Sequence, residues 1–248
     1  YFIMSIENGN LNATYNYAYM LETGENVPVN YEEAIKYYKM AIEKGHSSAM
    51  CNYAYMLENG KGIPFDYEEA IKYYKMAIEK GNDNAIYNYA YMLENGKGGT
   101  PIDYEEVVKY YKMSIDKGNT HAMNNYANML ITGEGIPINY EEATKYYKMA
   151  IEKGDSDAMS NYAYFLEQRE DSSIEEAVNY YKMAIEKGNS TAMVNYAVML
   201  EAGEGIPVNY EEAIKYLKMA IEEDNLSAMY RYAVMLEEGE GIPVNYEE

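Results

Sequence analysis

One segment decides what this chain can fold into. "GHSSAMCNYAYMLENGKGIPFDYEEAIKYYKMAIEKG", residues 45–81, returns along all 248 residues. Its closing glycine falls at Gly9, Gly45, Gly81, Gly118, Gly154 and Gly188, with Asp224 in the seventh place, so successive units measure 36, 36, 37, 36, 34 and 36 residues. A unit of that length cannot bury a core by itself, and a fixed period in this range means supersecondary units stacked on one another. Tyr1 matches Tyr37 and Glu248 matches Glu212 within the period, so residues 1–248 are expected to be a window of a longer array.

Within one unit, Ala49, Met50, Tyr53, Met56 and Leu57 recur at helical spacing and form an apolar stripe on a first helix, A, running from Ser48 to Asn59. Ala54 is small enough for a neighbouring helix to approach closely. Gly60-Lys61-Gly62-Ile63-Pro64 ends that helix. Asp66 and Glu69 have the spacing of a capping box, with Glu69 reaching back to the cap. Helix B then runs to Lys80 and buries Tyr67, Ala70, Tyr74, Ala77 and Ile78, while Lys72, Lys75, Glu79 and Lys80 face solvent. The A helices are expected near 12–23, 48–59, 84–95, 121–132, 157–168, 191–202 and 227–238, with Ser48, Asn84, Asp157, Thr191 and Ser227 as N-caps.

Two antiparallel helices per unit, a Gly-x-Gly loop and a small-residue spine resemble the Sel-one-like repeat (SLR) family, a relative of the tetratricopeptide repeat. The matching residues of one unit are Ala49, Leu57, Gly60, Gly62, Ala70, Tyr73, Ala77 and Gly81. The resemblance implies an all-α fold, a right-handed α/α superhelix or solenoid of about seven stacked helix-pair repeats of 36 residues, spanning 1–248 as one domain. It also implies a scaffold or adaptor for other proteins, without catalysis. Three units depart from the pattern: Asn26 replaces the second loop glycine, Gly96–Pro101 carries one extra residue, and Gln168–Ser173 lacks both glycines and the proline.

Comparison among the repeats separates core from surface. The positions of residues 48, 51, 55, 58 and 59 change from unit to unit and lie along one face of helix A. In a superhelix of this kind that face lines the concave side, and the related tetratricopeptide repeats bind ligands there. Tyr15, Tyr19, Tyr55, Tyr87, Tyr91 and Tyr164 make it aromatic, and Glu58 and Glu94 belong to a carboxylate column that also holds Glu22, Glu167, Glu201 and Glu237. Tyrosine beside carboxylate suits Lys and Arg side chains. An Asn column, Asn16, Asn52, Asn88, Asn125, Asn161 and Asn195, runs beside it, with Arg231 in the seventh unit. Each amide has two possible uses: hydrogen bonding to the backbone of an extended ligand, or pinning one repeat to the next.

The 41 acidic and 20 basic side chains leave a formal charge of −21, which repels nucleic-acid backbones and anionic membrane surfaces and attracts basic partners. Cys51 is the single cysteine, so no internal disulfide framework exists, and a reducing, cytoplasmic setting is expected. The sequons at Asn12, Asn189 and Asn225 keep a secretory-pathway lumen as the alternative. His46 and His121 lie in separate turns, and neither is beside Cys51 in sequence, so no metal, cofactor or nucleophilic site is expected. "GKG" lacks the Gly-Lys-Ser/Thr ending of a phosphate loop. The functional expectation is a non-catalytic protein-interaction scaffold that holds an extended, basic or mixed-charge segment and can take part in a larger complex. A docking region of a larger enzyme such as a kinase, or a filament-associated or self-associating structural repeat, is the alternative.

Overall fold

The computed structural model describes residues 2–97, 101–169, 173–203, 205–239 and 241, and among them only helices and their connections occur. The A helices are α2 (Leu11–Thr23), α4 (Ser47–Asn59), α6 (Asp83–Glu94), α8 (Thr120–Thr132), α10 (Ser156–Glu167), α12 (Ser190–Ala202) and α14 (Leu226–Glu238). The B helices are α1 (Phe2–Glu7), α3 (Tyr31–Glu43), α5 (Tyr67–Glu79), α7 (Tyr104–Asp116), α9 (Tyr140–Glu152), α11 (Ile174–Glu186) and α13 (Tyr210–Glu222). Every A helix lies within one residue of its expected bounds. No helix among the described residues is long and apolar enough to cross a membrane.

The N-caps of the A helices stand two residues earlier than expected. His46, Asn82, Asp155, Asn189 and Asn225 hold the extended cap conformation and accept from the third helical N–H. Ser48, Asn84, Asp157, Thr191 and Ser227 are already inside the first turn. The reason is the left-handed glycine or Asp224 just before each cap, which turns the chain so abruptly that the next residue must begin the new helix.

The capping box on helix B is met by half. Glu69 N–H donates to Asp66 Oδ1 at 2.9 Å, but Asp66 N–H donates to Leu57 O at 3.1 Å rather than to the Glu69 side chain. Asn30, Asn139 and Asn209 likewise donate their N–H groups to Leu21, Leu130 and Leu200 carbonyls. The displaced glutamate finds the cap's side chain instead in α9 and α13, where Asn139 and Asn209 Nδ2 donate to Glu142 and Glu212 at 3.2 and 3.1 Å. The loop between A and B is thereby tied back to the end of helix A.

Contacts between Cα positions separate the chain into two compact units, one ending at Ala122 and one beginning at Met123. In the first, α2 packs on α3, α4 on α5 and α6 on α7, while α3 meets α4, α5 meets α6 and α4 meets α6. In the second, α10 packs on α11 and α12 on α13, with α9 on α10, α11 on α12 and α13 on α14. Each unit is thus a stack of helix pairs in chain order. The cores repeat the expected stripe: Ala49, Tyr53, Ala54, Met56 and Leu57 are buried in α4, and Ala70, Tyr74 and Ala77 in α5, whereas Tyr67 and Ile78 are half-buried.

Consecutive repeats approach tightly at the second loop glycine. Gly62 has φ +68°, and a Cβ built on it would lie 2.1 Å from Cβ of Tyr31, the first residue of the preceding helix B. Gly62 therefore serves both the turn and the contact. Asn26 holds the same left-handed geometry at φ 63°, as expected of an asparagine in that place. The extra loop residues 98–100 and the altered residues 170–172 lie outside the described residues.

Gly81 separates the two effects, because it is also left-handed (φ +78°) but a Cβ there meets nothing within 4 Å. Gly81→Ala is expected to cost about 1–2 kcal/mol from backbone strain alone. Gly62→Ala should cost about 1–3 kcal/mol more, because the added methyl displaces the neighbouring repeat. Urea unfolding of both variants measures the difference, and equal midpoints would remove the inter-repeat contact from the account.

Candidate functional site

Helix A gives its inward stripe to the core and leaves tyrosines on the opposite side. Tyr19, Tyr55 and Tyr91 are 42, 39 and 43% exposed in the first unit, and Tyr164 is 52% exposed in the second. One turn earlier, Tyr15 stacks on Tyr19 and Tyr87 on Tyr91, with ring centroids 6.4 and 6.0 Å apart. Lys61 Nζ sits 4.8 Å from the Tyr55 centroid, an internal example of the cation–π pairing that the face would offer a ligand.

The carboxylates behave differently. Glu58 is 4% exposed, lies between its own two helices, and accepts from Tyr74 OH at 2.8 Å and from Lys97 Nζ at 2.9 Å. Glu22 accepts from Tyr38 OH at 2.6 Å with Lys61 Nζ at 3.9 Å, and Glu167 accepts from Tyr181 OH at 2.6 Å. Glu94 accepts from Tyr111 and is half-buried. Burial, with the adjoining glutamate, holds the Tyr38, Tyr74 and Tyr181 hydroxyls well above the usual phenol range. They remain proton donors at any physiological pH.

Repeats that lack one partner replace it. Ile131 stands where the fourth unit should have Glu, and Tyr147 OH donates to Asn128 Oδ1 instead. Leu217 stands where the sixth unit should have Tyr, and Arg231 Nη2 of the next repeat bonds Glu201 at 2.8 Å. Arg231 is therefore engaged within the chain. Sequence reasoning treated the columns of Glu and Tyr separately; reading them as a pair, with Ile131 beside Asn128 and Leu217 before Arg231, carries the signal of this tie.

In three repeats the Asn column links one repeat to the one before. Asn52 Nδ2 donates to Tyr38 OH at 3.0 Å and reaches Tyr15 OH at 3.5 Å; Asn88 Nδ2 points at Cys51 Sγ at 3.5 Å; Asn161 Nδ2 donates to Asn124 Oδ1 at 3.0 Å. Asn125 accepts from Asn124, Asn16 is exposed, and Asn195 is half-buried. For Asn52, Asn88 and Asn161 the inter-repeat use is the one present. A second amide column was not anticipated: the caps Asn82 and Asn225 use Oδ1 for their own helices and Nδ2 for Ser48 and Ser190 Oγ of the preceding repeat, at 3.3 and 3.1 Å. Asn189 does the same with Asp157 Oδ1 at 2.8 Å. Its signal was the recurrent Gly-Asn step at residues 81–82, 118–119 and 188–189.

His46 takes that cap position in the second repeat. Its Nδ1 accepts from Ala49 N–H at 3.2 Å, its ring stacks on Tyr15 at 4.7 Å, and burial lowers its pKa. Beside it on the same face a cavity of about 330 Å³ opens, with Tyr15, Cys51, Asn52, Tyr87, Asn88 and His121 in its wall. Burial pushes the Cys51 thiol up to about 12, which keeps it protonated and unreactive.

Comparison with known proteins follows the same repeat boundaries. The family model described as "Sel1 repeat" matches residues 11–46, 47–82, 83–119, 120–155, 156–189, 190–225 and 226–248. A Sel1 repeat protein from Oxalobacter formigenes is similar in structure, with TM-score 0.76 and 29% identity over 85% of each chain. Two immunity proteins from Pseudomonas aeruginosa share the fold with TM-scores of 0.61, one at 17% identity over 88% of this chain and 83% of its own, the other at 18% over 88% and 82%. No curated protein matches the chain.

Two measurements test these assignments. Glu58→Ala strands the buried Tyr74 hydroxyl, and stability should fall by about 1–3 kcal/mol, with Tyr74→Phe in the same background recovering part of the loss. For His46 the folded pKa lies below the ordinary 6.5, so the unfolded chain takes up the proton first as pH falls. Its contribution is complete above about pH 6.5 and declines as pH falls through the folded value. His46→Asn should remove that part of the acid slope in thermal melts, and an unchanged difference between the two proteins from pH 7.5 to 5 would contradict the capping role.

Proposed function

Since the chain belongs to the Sel1 repeat family, whose members generally act in protein–protein interaction, we propose that it is a non-catalytic scaffold that holds an extended protein segment along its helix A face. The observation that carries this reading is the row of exposed rings, Tyr19, Tyr55 and Tyr91, one per repeat in the first unit. Helices packed side by side stand about 8–10 Å apart, and an extended chain advances about 3.3 Å per residue. The row would therefore meet a ligand about every third residue. Single surface tyrosines need no such explanation, but three in register, each about two-fifths exposed, are a repeated contact waiting for a repeated partner.

Lys- and Arg-bearing segments suit the row. Each ring offers a cation–π face, and the formal charge of −21 draws cations to the molecule as a whole. Glu22, Glu58 and Glu94 contribute little to direct contact, each accepting from a tyrosine of its own repeat. In the second unit the ring position holds Asn128, Tyr164, Val198 and Val234, which favours apolar ligand side chains over cations. The Asn positions whose amides already span repeats would shape the floor of the groove.

Selection from a library of extended peptides graded in Lys and Arg content tests the proposal. Selected segments should be basic, and replacing Tyr19, Tyr55 and Tyr91 together by Ser should weaken them about 10- to 100-fold, from about 0.5–1 kcal/mol per ring. The melting temperature should hold, because these rings are outside the core. Affinity should also fall as salt rises past physiological strength, where screening acts over about 8 Å. Undiminished binding by the triple variant would place the ligand elsewhere.

A further inference from the structure

One inward position of helix A varies along the array, reading Tyr15, Cys51, Tyr87, Asn124, Ser160 and Val194 in the first six repeats. Tyr15 and Tyr87 occupy equivalent places in α2 and α6, and between them α4 carries Cys51. A thiol leaves the volume of a phenol ring unfilled. The cavity of about 330 Å³ lies there, with Cys51 in its wall and Tyr15 and Tyr87 on its flanks.

The hydrogen bonding records the same vacancy. Asn52 has a tyrosine hydroxyl from the preceding repeat within 3.5 Å, and its equivalent Asn88 has the Cys51 sulfur at 3.5 Å in that place. Sulfur is a weak acceptor, so the Asn88 donor is poorly satisfied at the cavity wall. Asn84 and Asn119 add further amides, and no Asp, Glu, Lys or Arg lines the space among the described residues. A carboxylate or phosphate would find no Lys or Arg to pair with, only the His121 imidazole, and a purely apolar ring would desolvate these amides without replacing their water. A ring that carries a hydroxyl meets both demands, since it fills the volume, accepts from one amide N–H and donates to an amide oxygen.

We propose that the cavity beside Cys51 receives a tyrosine side chain of the bound segment, its ring standing where the flanking repeats place their own tyrosine and its hydroxyl accepting from Asn88 Nδ2. This rests on the reading of helix A as a segment-binding face and adds the residue that anchors the segment. Tyr15 and Tyr87 in the wall give the incoming ring aromatic neighbours, beside Ser48, Asn82 and His121.

The test uses N-acetyltyrosine amide and N-acetylphenylalanine amide as probes of the full chain, followed through the side-chain amide resonances of Asn52 and Asn88. The tyrosine probe should bind about 3- to 10-fold more tightly than the phenylalanine probe, the effect of one neutral hydrogen bond. Cys51→Tyr should fill the cavity, keep or raise the melting temperature and abolish probe binding. Asn88→Ala, which needs no repacking of the cavity, should bring the two probes to equal affinity. Absence of binding, equal binding of both probes by the unaltered protein, a preference that survives Asn88→Ala, or a methyl glycoside that binds as well as the tyrosine probe would each overturn the proposal. Since the probe is one residue long, its failure leaves the scaffold reading to the peptide selection; a protein that captures basic segments but ignores the probe has the groove without this anchor.

Discussion

A stack of repeats has no central core, so its integrity depends on the ties within and between neighbours. Here the decisive one is the hydrogen bond from a helix B tyrosine to a helix A glutamate. Apolar stripes hold two helices together but tolerate sliding, because Ala, Met and Leu surfaces have little directional preference. The Tyr74–Glu58 bond does not slide. A carboxylate that is 4% exposed must keep its partners, so the helix pair is restricted to the one register in which the hydroxyl reaches it. Lys97 and Lys61 then extend the tie to the next repeat. The substitutions at Ile131 and Leu217 are informative for this reason: each removes one member of the pair, and in each the geometry supplies another polar group in its place.

The period, the helix bounds and the apolar stripe were legible in the sequence because they depend on residue type at fixed spacing, and spacing survives translation into structure. The glycine at position 62 was legible only as a turn. That it also touches Tyr31 depends on the rise between repeats, which no single unit encodes. The N-caps were misplaced by two residues because Ser, Thr, Asn and Asp occur both before and inside the first turn, and only the left-handed residue at Gly45 or Gly81 decides which of them meets the free N–H groups.

The carboxylate column shows a different limit. Variation among repeats is expected to mark a surface, and at position 55 it does, for Tyr19, Tyr55 and Tyr91; position 51 varies as much, yet Cys51, Asn124, Ser160 and Val194 are buried there. Position 58 is nearly constant and belongs to the interior. Constancy of a charged residue across repeats marked a satisfied internal partner, which a reading of single columns missed because the partner lies 16 residues away on another helix.

These two kinds of position divide the work of helix A. Asn52 Nδ2 donates to the Tyr38 hydroxyl, and Tyr38 OH donates to Glu22, so a chain of hydrogen bonds runs through two repeats just beneath the exposed rings. Such a chain makes the floor of the face rigid without exposing charge to a ligand. The rings above it can then vary from Tyr55 to Val198 without disturbing the stack, since the tie passes beneath them; only in the fourth repeat, where Ile131 removes the glutamate, does Asn128 of this position take up the tie. Position 51 sits between the layers: Tyr15 both contacts Asn52 and borders the cavity, and Cys51 changes the cavity while Tyr74 and Glu58 keep their bond. A single substitution there can alter what the face accepts while the repeat remains intact, which is the property a scaffold needs if its repeats are to diverge in specificity without diverging in fold.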